Sequence, residues 1–504
     1  MSTEFWLRAA TNSALIVAGV SALSLVIAVP GAWLLERTDL PGARVLRKVF
    51  TLTYALPSYL LAISWVVLAN PNVGWINLWA EKWFGIGKLV NVYHLGGVIF
   101  IETSVVFTIL FFNFWSGLRQ MDPALEEAAR LAGAGPWRVF FTITAPILRG
   151  NIFAGLVAVG LASLASFGVP AIVATPARKF VLTTAIYAKI QEGSPQAFNE
   201  ALVIALGMAA VTLGLVILAG RGSKRRVGLV SGKASRAARV ELGRWRYPLA
   251  VGLYGLWGVL VALPLAALVL SSFFAEPGVL RASNLSLRAW KYVLFTLAEF
   301  KTALGNSLLT AGAAAFAVLL AAMLVAIVAW QGHHKGRRGH RLVGRAAEHG
   351  AMFCFSIPGT VLALCLIVVL TRFSLMNTLT ILVVAYGLKY ATLGFQTVRP
   401  SAFLIHPSLL EAAQLAGAGF FQRFYRIWLP LLKAPLFAAA ILVFMPCFSE
   451  LTMSILLYGP GTETLGVVLF NLQEYADRSS AAVVGTLLLG VIVVFRIVAE
   501  KIRG

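Results

Sequence analysis

The sequence predicts an all-α, polytopic membrane protein, and three observations carry that prediction. Residues of the set AVILMFWYC make up 59% of the chain and charged residues only 12%, and the mean hydropathy of +0.84 lies far above that of soluble globular domains. The apolar residues are gathered into runs long enough to cross a bilayer, with basic residues in the loops between them. A stretch from Glu127 to Arg149 recurs from Glu411 to Lys433, which indicates an internal duplication.

The first half, residues 1–220, is predicted to cross the membrane five times. The spans lie at about residues 12–35, 49–70, 96–118, 151–175 and 200–220. The first run has full spanning length and no basic cluster before it, so we expect a retained helix rather than a cleaved signal peptide. Basic residues follow it, which places its end in the cytoplasm and the N-terminus in the periplasm. Pro57 is expected to kink the second span.

A basic segment, residues 221–247, separates this half from the second one. It holds nine lysines and arginines and a single acid, Glu241. We interpret it as a cytoplasmic linker near anionic membrane lipid, and because the net charge of +22 sits in such loops, we predict no nucleic-acid partner. The second half, residues 248–504, is predicted to have six spans, at about residues 248–274, 303–331, 348–371, 377–398, 434–457 and 480–499. Eleven spans place the C-terminus in the cytoplasm.

The chain shows no catalytic constellation. No G-x-x-x-x-G-K-[ST] phosphate loop occurs in the sequence, so we expect no ATP hydrolysis and no enzymatic activity in this chain. Its three cysteines lie within apolar runs and lack metal-ligand spacing. Three histidines, His333, His334 and His340, fall in a basic loop, where a flexible charged segment is favoured over a metal cluster.

Each copy of the duplicated stretch is predicted to form a helix, a glycine corner and a second helix. One constant offset aligns the two copies without a gap, from Glu127 on Glu411 to Arg149 on Lys433. Asp122 precedes the first copy and is expected to cap its helix. Gly133 and Gly417 fall where a helix C-terminus needs a residue that adopts positive φ without strain.

The pattern EAA, a Gly six residues after the Glu, and I-x-[AL]-P resembles the EAA loop of binding-protein-dependent ABC importer permeases. Because two copies lie in register in a parallel duplication, the resemblance implies two tandem type I importer permease cores, with loops at residues 122–149 and 406–433. It also implies that each loop docks on a separate ATP-hydrolysing subunit, which holds ATP and magnesium, so this chain binds no cofactor itself. The implied coupling residues are Glu127, Ala128, Ala129, Gly133, Glu411, Ala412, Ala413 and Gly417. An amphipathic hairpin on the membrane surface is the alternative.

Among the polar residues of the predicted spans, three ionisable ones stand out: Glu102, Lys389 and Glu450. Charges at this depth are costly and usually face a cavity or a partner. For Lys389 and Glu450 two interpretations stay open, an ion pair that joins two helices or contact with the substrate. Glu102 lies nearer the outer face, where it is expected to reach water.

The stretches LPSYLLAISWVVL, SFGVP and SELTMSILLYGPGTETL resemble, more narrowly, fused permeases of ferric-iron importers. The resemblance implies that residues near Ser166 and Glu450 line the translocation path at equivalent places. Family members often carry an acid where this chain has Ser166, which weakens a symmetric acidic pair. Four hydroxyl residues beside Pro57 and Pro358 are further path candidates, with helix packing as the alternative: Tyr54, Ser58, Tyr59 and Ser356.

Together with these features, the resemblance implies the permease subunit of an ATP-driven importer in a bacterial inner membrane. The predicted cargo is iron(III), delivered by a periplasmic binding protein and moved by alternating access while two ATP-binding subunits close around the loops. Related fused permeases move 2-aminoethylphosphonate, thiamine or polyamines, which stay as alternatives. A secondary transporter driven by an ion gradient is the rival from another class, and it would have no need of EAA loops.

Overall fold

The computed structural model describes residues 2–503, apart from residues 225–238, 277, 280, 335, 337, 374 and 476. Most of the predicted basic linker therefore lies outside the described residues. The regular secondary structure of the described part is helical, and its only extended pairings are two isolated bridges, Thr38 with Val240 and Phe274 with Leu285. The all-α prediction is confirmed.

Up to the linker the α-helices are α1 (Ser2–Arg37), α2 (Ala43–Tyr54), α3 (Ser58–Ala69), α4 (Trp75–Phe84), α5 (Leu95–Gln120), α6 (Ala124–Leu131), α7 (Pro136–Val139), α8 (Ala145–Ala165), α9 (Gly168–Val173), α10 (Leu182–Gln191) and α11 (Pro195–Lys224). After the linker they are α12 (Arg246–Trp257), α13 (Leu263–Ser271), α14 (Arg288–Lys291), α15 (Ala298–His334), α16 (Arg338–Ser356), α17 (Gly359–Leu370), α18 (Leu379–Phe403), α19 (Pro407–Leu415), α20 (Phe420–Arg423), α21 (Leu429–Phe448), α22 (Ser454–Leu457), α23 (Leu465–Glu474) and α24 (Arg478–Arg503). In the described chain, π-helical segments continue neighbouring α-helices at Phe140–Thr144, Gly258–Ala262, Tyr292–Thr296 and Phe424–Trp428.

Nine helical segments of the described chain are long and apolar enough to cross a bilayer, and two bent helix pairs raise the number to eleven. These bent pairs are α2 with α3, at 99°, and α16 with α17, at 113°. Pro57 and Pro358 each stand directly before the second helix of a pair, where the missing N–H and the restriction on the preceding residue end the first helix. The bend expected at Pro57 is present.

The chain divides by its internal contacts into two units. The first comprises Met1–Trp290 with Gln473–Thr486, and the second comprises Lys291–Leu472 with Leu487–Gly504. Helices α12 and α13, which follow the linker, pack within the first unit. There Trp257 Nε1 donates to Thr53 Oγ1 at 3.0 Å. The two permease cores predicted from the sequence, residues 1–220 and 248–504, follow the sequence repeat rather than these units, and they stay a prediction.

Both units repeat one hydrogen bond at the start of their long first helix. In the first unit the backbone N–H of Leu182 donates to Ser13 Oγ at 2.9 Å. In the second unit the backbone N–H of Leu465 donates to Ser307 Oγ at 2.8 Å. Each serine follows an asparagine, so the Asn-Ser dipeptide fastens the segment before a later helix in the same manner in both units.

Candidate functional site

The two predicted coupling loops are built alike. In the first loop Asp122 Oδ1 accepts a hydrogen bond from the backbone N–H of Ala124, the first residue of α6, as expected for a helix cap. The second loop begins with Pro407 at the first position of α19, where its missing N–H leaves no bond unmade. The two short helices end at equivalent positions of the repeat, Leu131 and Leu415.

A glycine with positive φ turns each loop after its short helix. Gly133 has a φ of 87° and Gly417 a φ of 79°, and these values lie in the left-handed region that other residues rarely adopt. The alanines of the motif provide the carbonyls that close the turn. The closing hydrogen bonds run from Ala132 to Ala128 at 3.1 Å, from Ala134 to Ala129 at 3.0 Å, from Ala416 to Ala412 at 3.0 Å and from Ala418 to Ala413 at 2.9 Å.

A π-helical turn begins the return to the membrane in each loop. The turns Phe140–Thr144 and Phe424–Trp428 occupy equivalent positions, at the same offset that aligns the two motifs. Pro146 and Pro430 follow in the first turn of α8 and of α21. Proline lacks the N–H of a regular ladder, which accounts for a local change in pitch here. The duplication therefore extends to irregular details of the backbone.

The loops expose matched apolar side chains. Leu131 and Leu415 are each 91% exposed, and Trp137 and Phe421 are each 73% exposed. Of the two glutamates that begin the motifs, Glu127 is half-buried and Glu411 is exposed. Large apolar side chains exposed beside a tight turn in two equivalent places are typical of a protein interaction surface.

Glu126, beside the motif glutamate, is a residue that the sequence analysis missed. Its side chain is 1% exposed, its Oε2 lies 2.8 Å from Arg37 Nε, and its Oε1 accepts a hydrogen bond from Thr144 Oγ1 at 2.6 Å. The signal available in the sequence was an acid at a position where the second copy has an apolar residue, Leu410. Nothing in the sequence pointed to its partner Arg37, which belongs to a distant helix, α1.

The side chain of Lys389, which belongs to α18, reaches the bend between α16 and α17. Its Nζ donates to the backbone carbonyl of Phe355 at 2.9 Å and to that of Ile357. The bend at Pro358 leaves carbonyls at the end of α16 without helical partners, and a cation is favourable at a helix C-terminus. Lys389 therefore acts as a cap for the broken helix.

The carboxylate of Glu450 is held by the turn that follows it. It accepts hydrogen bonds from the backbone N–H groups of Met453 and Ser454, each at 3.0 Å, and from Ser454 Oγ at 2.8 Å. Among the described residues no direct contact joins it to Lys389, and the two opposite charges act on each other only at longer range. The physical reason is that both groups find closer partners in the backbone around them.

Ser166 and Glu450 occupy equivalent positions of the repeat, as do Glu102 and Tyr386. In the first unit Ser163 Oγ donates to Glu102 Oε2 at 2.6 Å. In the second unit Tyr386 Oη lies 2.6 Å from Ser454 Oγ, which itself donates to Glu450. The first unit therefore has its acidic residue, Glu102, on helix α5, whereas the second unit has its acidic residue, Glu450, in the loop after α21.

Glu102 does not reach water, contrary to our expectation. Its side chain is fully buried, because α8 packs against its own helix, α5. Ser163, on α8, provides its hydrogen bond.

The hydroxyl residues beside the two prolines differ in exposure. Tyr54 is more than half exposed, Ser58 is half-buried and Tyr59 is buried. Ser356 Oγ donates to the carbonyl of Met352 in its own helix at 2.8 Å. This hydrogen bond lies within α16 itself, as is common for a serine in a helix.

Comparison with known proteins identifies relatives across both repeats. The family model described as "Binding-protein-dependent transport system inner membrane component" matches residues 13–222 and 336–502, and each matched region contains one of the two loops. The molybdenum transport system permease protein ModB of Escherichia coli K12 is 30% identical over 220 residues, which are 42% of this chain and 93% of that protein.

Among the relatives that match nearly the whole chain are two ferric permeases. The putative ferric transport system permease protein FbpB 1 of Haemophilus influenzae is 23% identical over 91% of this chain and 71% of its own length. The ferric transport system permease protein FbpB of Actinobacillus pleuropneumoniae is 22% identical over 91% of this chain and 66% of its own length.

Proposed function

Because the chain belongs to the family of inner-membrane components of binding-protein-dependent transport systems, we propose that it is the permease of an ATP-driven importer of iron(III) that works by alternating access. It is a multi-pass inner-membrane protein that contains two permease regions in a single chain. A periplasmic binding protein delivers the cargo, and ATP-binding subunits, two in number, engage the cytoplasmic loops. The N-terminus lies in the periplasm and the C-terminus in the cytoplasm.

The observation that carries the proposed coupling role is the pair of matched loops. Each presents an exposed leucine and an exposed aromatic ring beside a glycine corner, at the same offset throughout. Two equivalent surfaces on one chain suit two copies of one partner. Glu127 and Glu411 form the polar part of each surface, the neighbouring alanines flank them, and the glycines set the turn of each loop.

Similarity along the whole chain supports iron(III) as the cargo. The ferric permeases match 91% of this chain and therefore both of its repeats. Tyr54, Ser58, Tyr59, Ser166, Ser356, Lys389 and Glu450 are the candidates for the translocation path. In this proposal, Lys389 and Glu450, which bind backbone groups, hold turns of the path, and Tyr54, which is exposed, meets the cargo.

Molybdate is the second candidate, since the molybdenum permease is 30% identical over 93% of its length. Carriers of 2-aminoethylphosphonate, thiamine or polyamine share the architecture as well. A transporter driven by an ion gradient stays the rival of another class.

The test is ATP hydrolysis by the complete transporter in proteoliposomes, with the binding protein loaded in turn with each cargo. Stimulation by ferric iron and not by molybdate is the expected result. If molybdate alone stimulates ATP hydrolysis, molybdate and not iron(III) is the cargo. Uptake that is driven by an ion gradient in the absence of ATP would contradict the proposal of an ATP-driven importer.

A further inference from the structure

The carboxylate of Glu126 joins four elements of the first unit at one buried point. It belongs to α6, it pairs with Arg37 in the last turn of α1, and it accepts a hydrogen bond from Thr144 at the end of the π-helical turn. The guanidinium of Arg37 also donates to the backbone carbonyl of Leu118 on α5 at 2.8 Å. Arg37 and Glu126 are only 4% and 1% exposed, so each depends on the other for a counter-charge.

The backbone of Arg37 is held in turn by the end of the inter-half linker. The N–H of Val240 donates to the carbonyl of Arg37 at 2.8 Å, and the N–H of Leu242 donates to Asp39 Oδ1 at 3.0 Å. The backbone that carries the Arg37 guanidinium is therefore fixed by the linker as well.

At the equivalent junction of the second unit, the described residues form an apolar contact in place of the ion pair. Leu410 stands at the position of Glu126 and Trp428 at the position of Thr144, and both are buried. They pack in one cluster with Trp330, near the end of α15, whose ring lies 5.5 Å from that of Trp428, edge to face. Trp330 Nε1 donates to the backbone carbonyl of Ile405 at 3.1 Å.

The ion pair of the first unit and the apolar packing of the second unit respond differently when the loop is displaced. A buried ion pair loses its compensation as soon as its geometry changes, and an uncompensated buried charge is strongly unfavourable. Apolar packing is not directional and depends mainly on the area that is buried. A small shift of the loop is therefore costly in the first unit and inexpensive in the second.

We propose that Glu126 is a positioning residue that locks the first coupling loop to the end of α1, whereas the second loop is held by apolar packing and the Trp330 hydrogen bond and shifts more readily on its support. The two loops of this chain then transmit motion unequally. The name coupling loop rests on the proposed function, but the lock is a property of the chain by itself.

Spin labels at the two exposed leucines test the lock without any partner. The labels are attached to Leu131→Cys or to Leu415→Cys in a chain whose native cysteines are replaced by alanine, reconstituted in lipid nanodiscs. Glu126→Gln is expected to raise the mobile fraction of the label at residue 131 about fivefold and to leave the label at residue 415 unchanged. Glu36→Gln is the matched control, because Glu36 precedes Arg37 but pairs with Arg47.

A second variant covers the case in which Glu126→Gln does not fold. Arg37→Met combined with Glu126→Leu removes both charges, a change that membrane and soluble cores tolerate better than the loss of one partner. This pair also imitates the closure of the second unit. We expect the label at residue 131 to become as mobile as that at residue 415. Unchanged mobility at residue 131 in both variants would overturn the lock.

Cross-linking of the same cysteines to the ATP-binding subunit separates the lock from the proposed function. With both ideas correct, each cysteine cross-links in the otherwise unchanged chain, and Glu126→Gln lowers the yield at residue 131 alone. Absence of cross-links at both sites, together with the expected change in mobility, would retain the lock and reject the docking role of the loops.

Discussion

Leu131 and Leu415, at equivalent positions of the repeat, each form the last residue of a short helix and are each 91% exposed. The described residues around them leave both side chains open to a partner. Such a leucine gains about 1.5–3 kcal/mol when it is buried fully, so two of them provide much of the free energy that a docking surface needs.

Replacing either exposed leucine with glutamate is predicted to weaken binding of the ATP-binding subunit. Transfer of a leucine side chain into an apolar cleft is favourable, whereas transfer of a glutamate charge is unfavourable. We therefore expect a loss of about tenfold or more in affinity for each site. Titration of the purified subunit onto the chain in nanodiscs measures this affinity. Leu131→Met and Leu415→Met are the controls and should bind as the original chain does. Unaltered binding of the double glutamate variant would exclude these tips from the interface.

Residues other than glycine at positions 133 and 417 are predicted to strain the loop backbone. A Cβ at either position would meet no atom within 4 Å, so the cost is conformational rather than steric and amounts to about 1–2 kcal/mol per site. Asparagine should be milder than alanine, because it tolerates left-handed backbone. Thermal unfolding and ATPase binding measure the two consequences. Gly207→Ala, in open space on α11, is the control. Equal effects of alanine and asparagine would count against a conformational cause.

Loss of the Lys389 ammonium is predicted to destabilise the bend at Pro358. Lys389→Met leaves the carbonyls of Phe355 and Ile357 without their donor, at a cost of about 1–3 kcal/mol. Lys389→Arg keeps donors within reach and should recover most of the stability. Denaturation of the detergent-solubilised chain, followed by tryptophan fluorescence, gives the comparison. A Lys389→Met variant as stable as the parent would show that the carbonyls find other donors.

Glu450→Gln is predicted to loosen the turn before α22. A carboxylate accepts the N–H groups of Met453 and Ser454 together with the Ser454 hydroxyl, whereas an amide offers only one acceptor oxygen and brings two hydrogens into a set of donors. We expect a loss of about 1–3 kcal/mol in stability. The matched variant at the equivalent position of the first unit, Ser166→Ala, should cost less. A purely kinetic effect of Glu450→Gln on uptake, with stability intact, would instead indicate contact with cargo.

The loops could be predicted from the sequence because their determinants are local. A proline or an aspartate starts each short helix, a glycine ends it, and the motif is repeated. The same holds for the bend at Pro57. Each of these features is fixed by residues within a few positions of one another, which a single sequence displays directly.

The buried polar contacts could not be predicted, because they depend on which helices pack together. The Arg37 partner of Glu126 comes from another helix, and Lys389 binds carbonyls that Pro358 releases rather than the acid that opposite charge alone suggested. Likewise, no local signal places α12 and α13 with the first unit. The burial of Glu102 followed from the same packing.

Uptake of radiolabelled ferric iron into proteoliposomes that contain the complete transporter tests the central claim most directly. Uptake by the original chain is compared with that by Glu127→Arg, by Glu411→Arg and by the double variant, each with and without ATP. We predict ATP-dependent uptake that is lost in the double variant while the protein remains in the membrane. Uptake that survives both substitutions, or that proceeds without ATP, would contradict the account of a permease driven through its paired loops.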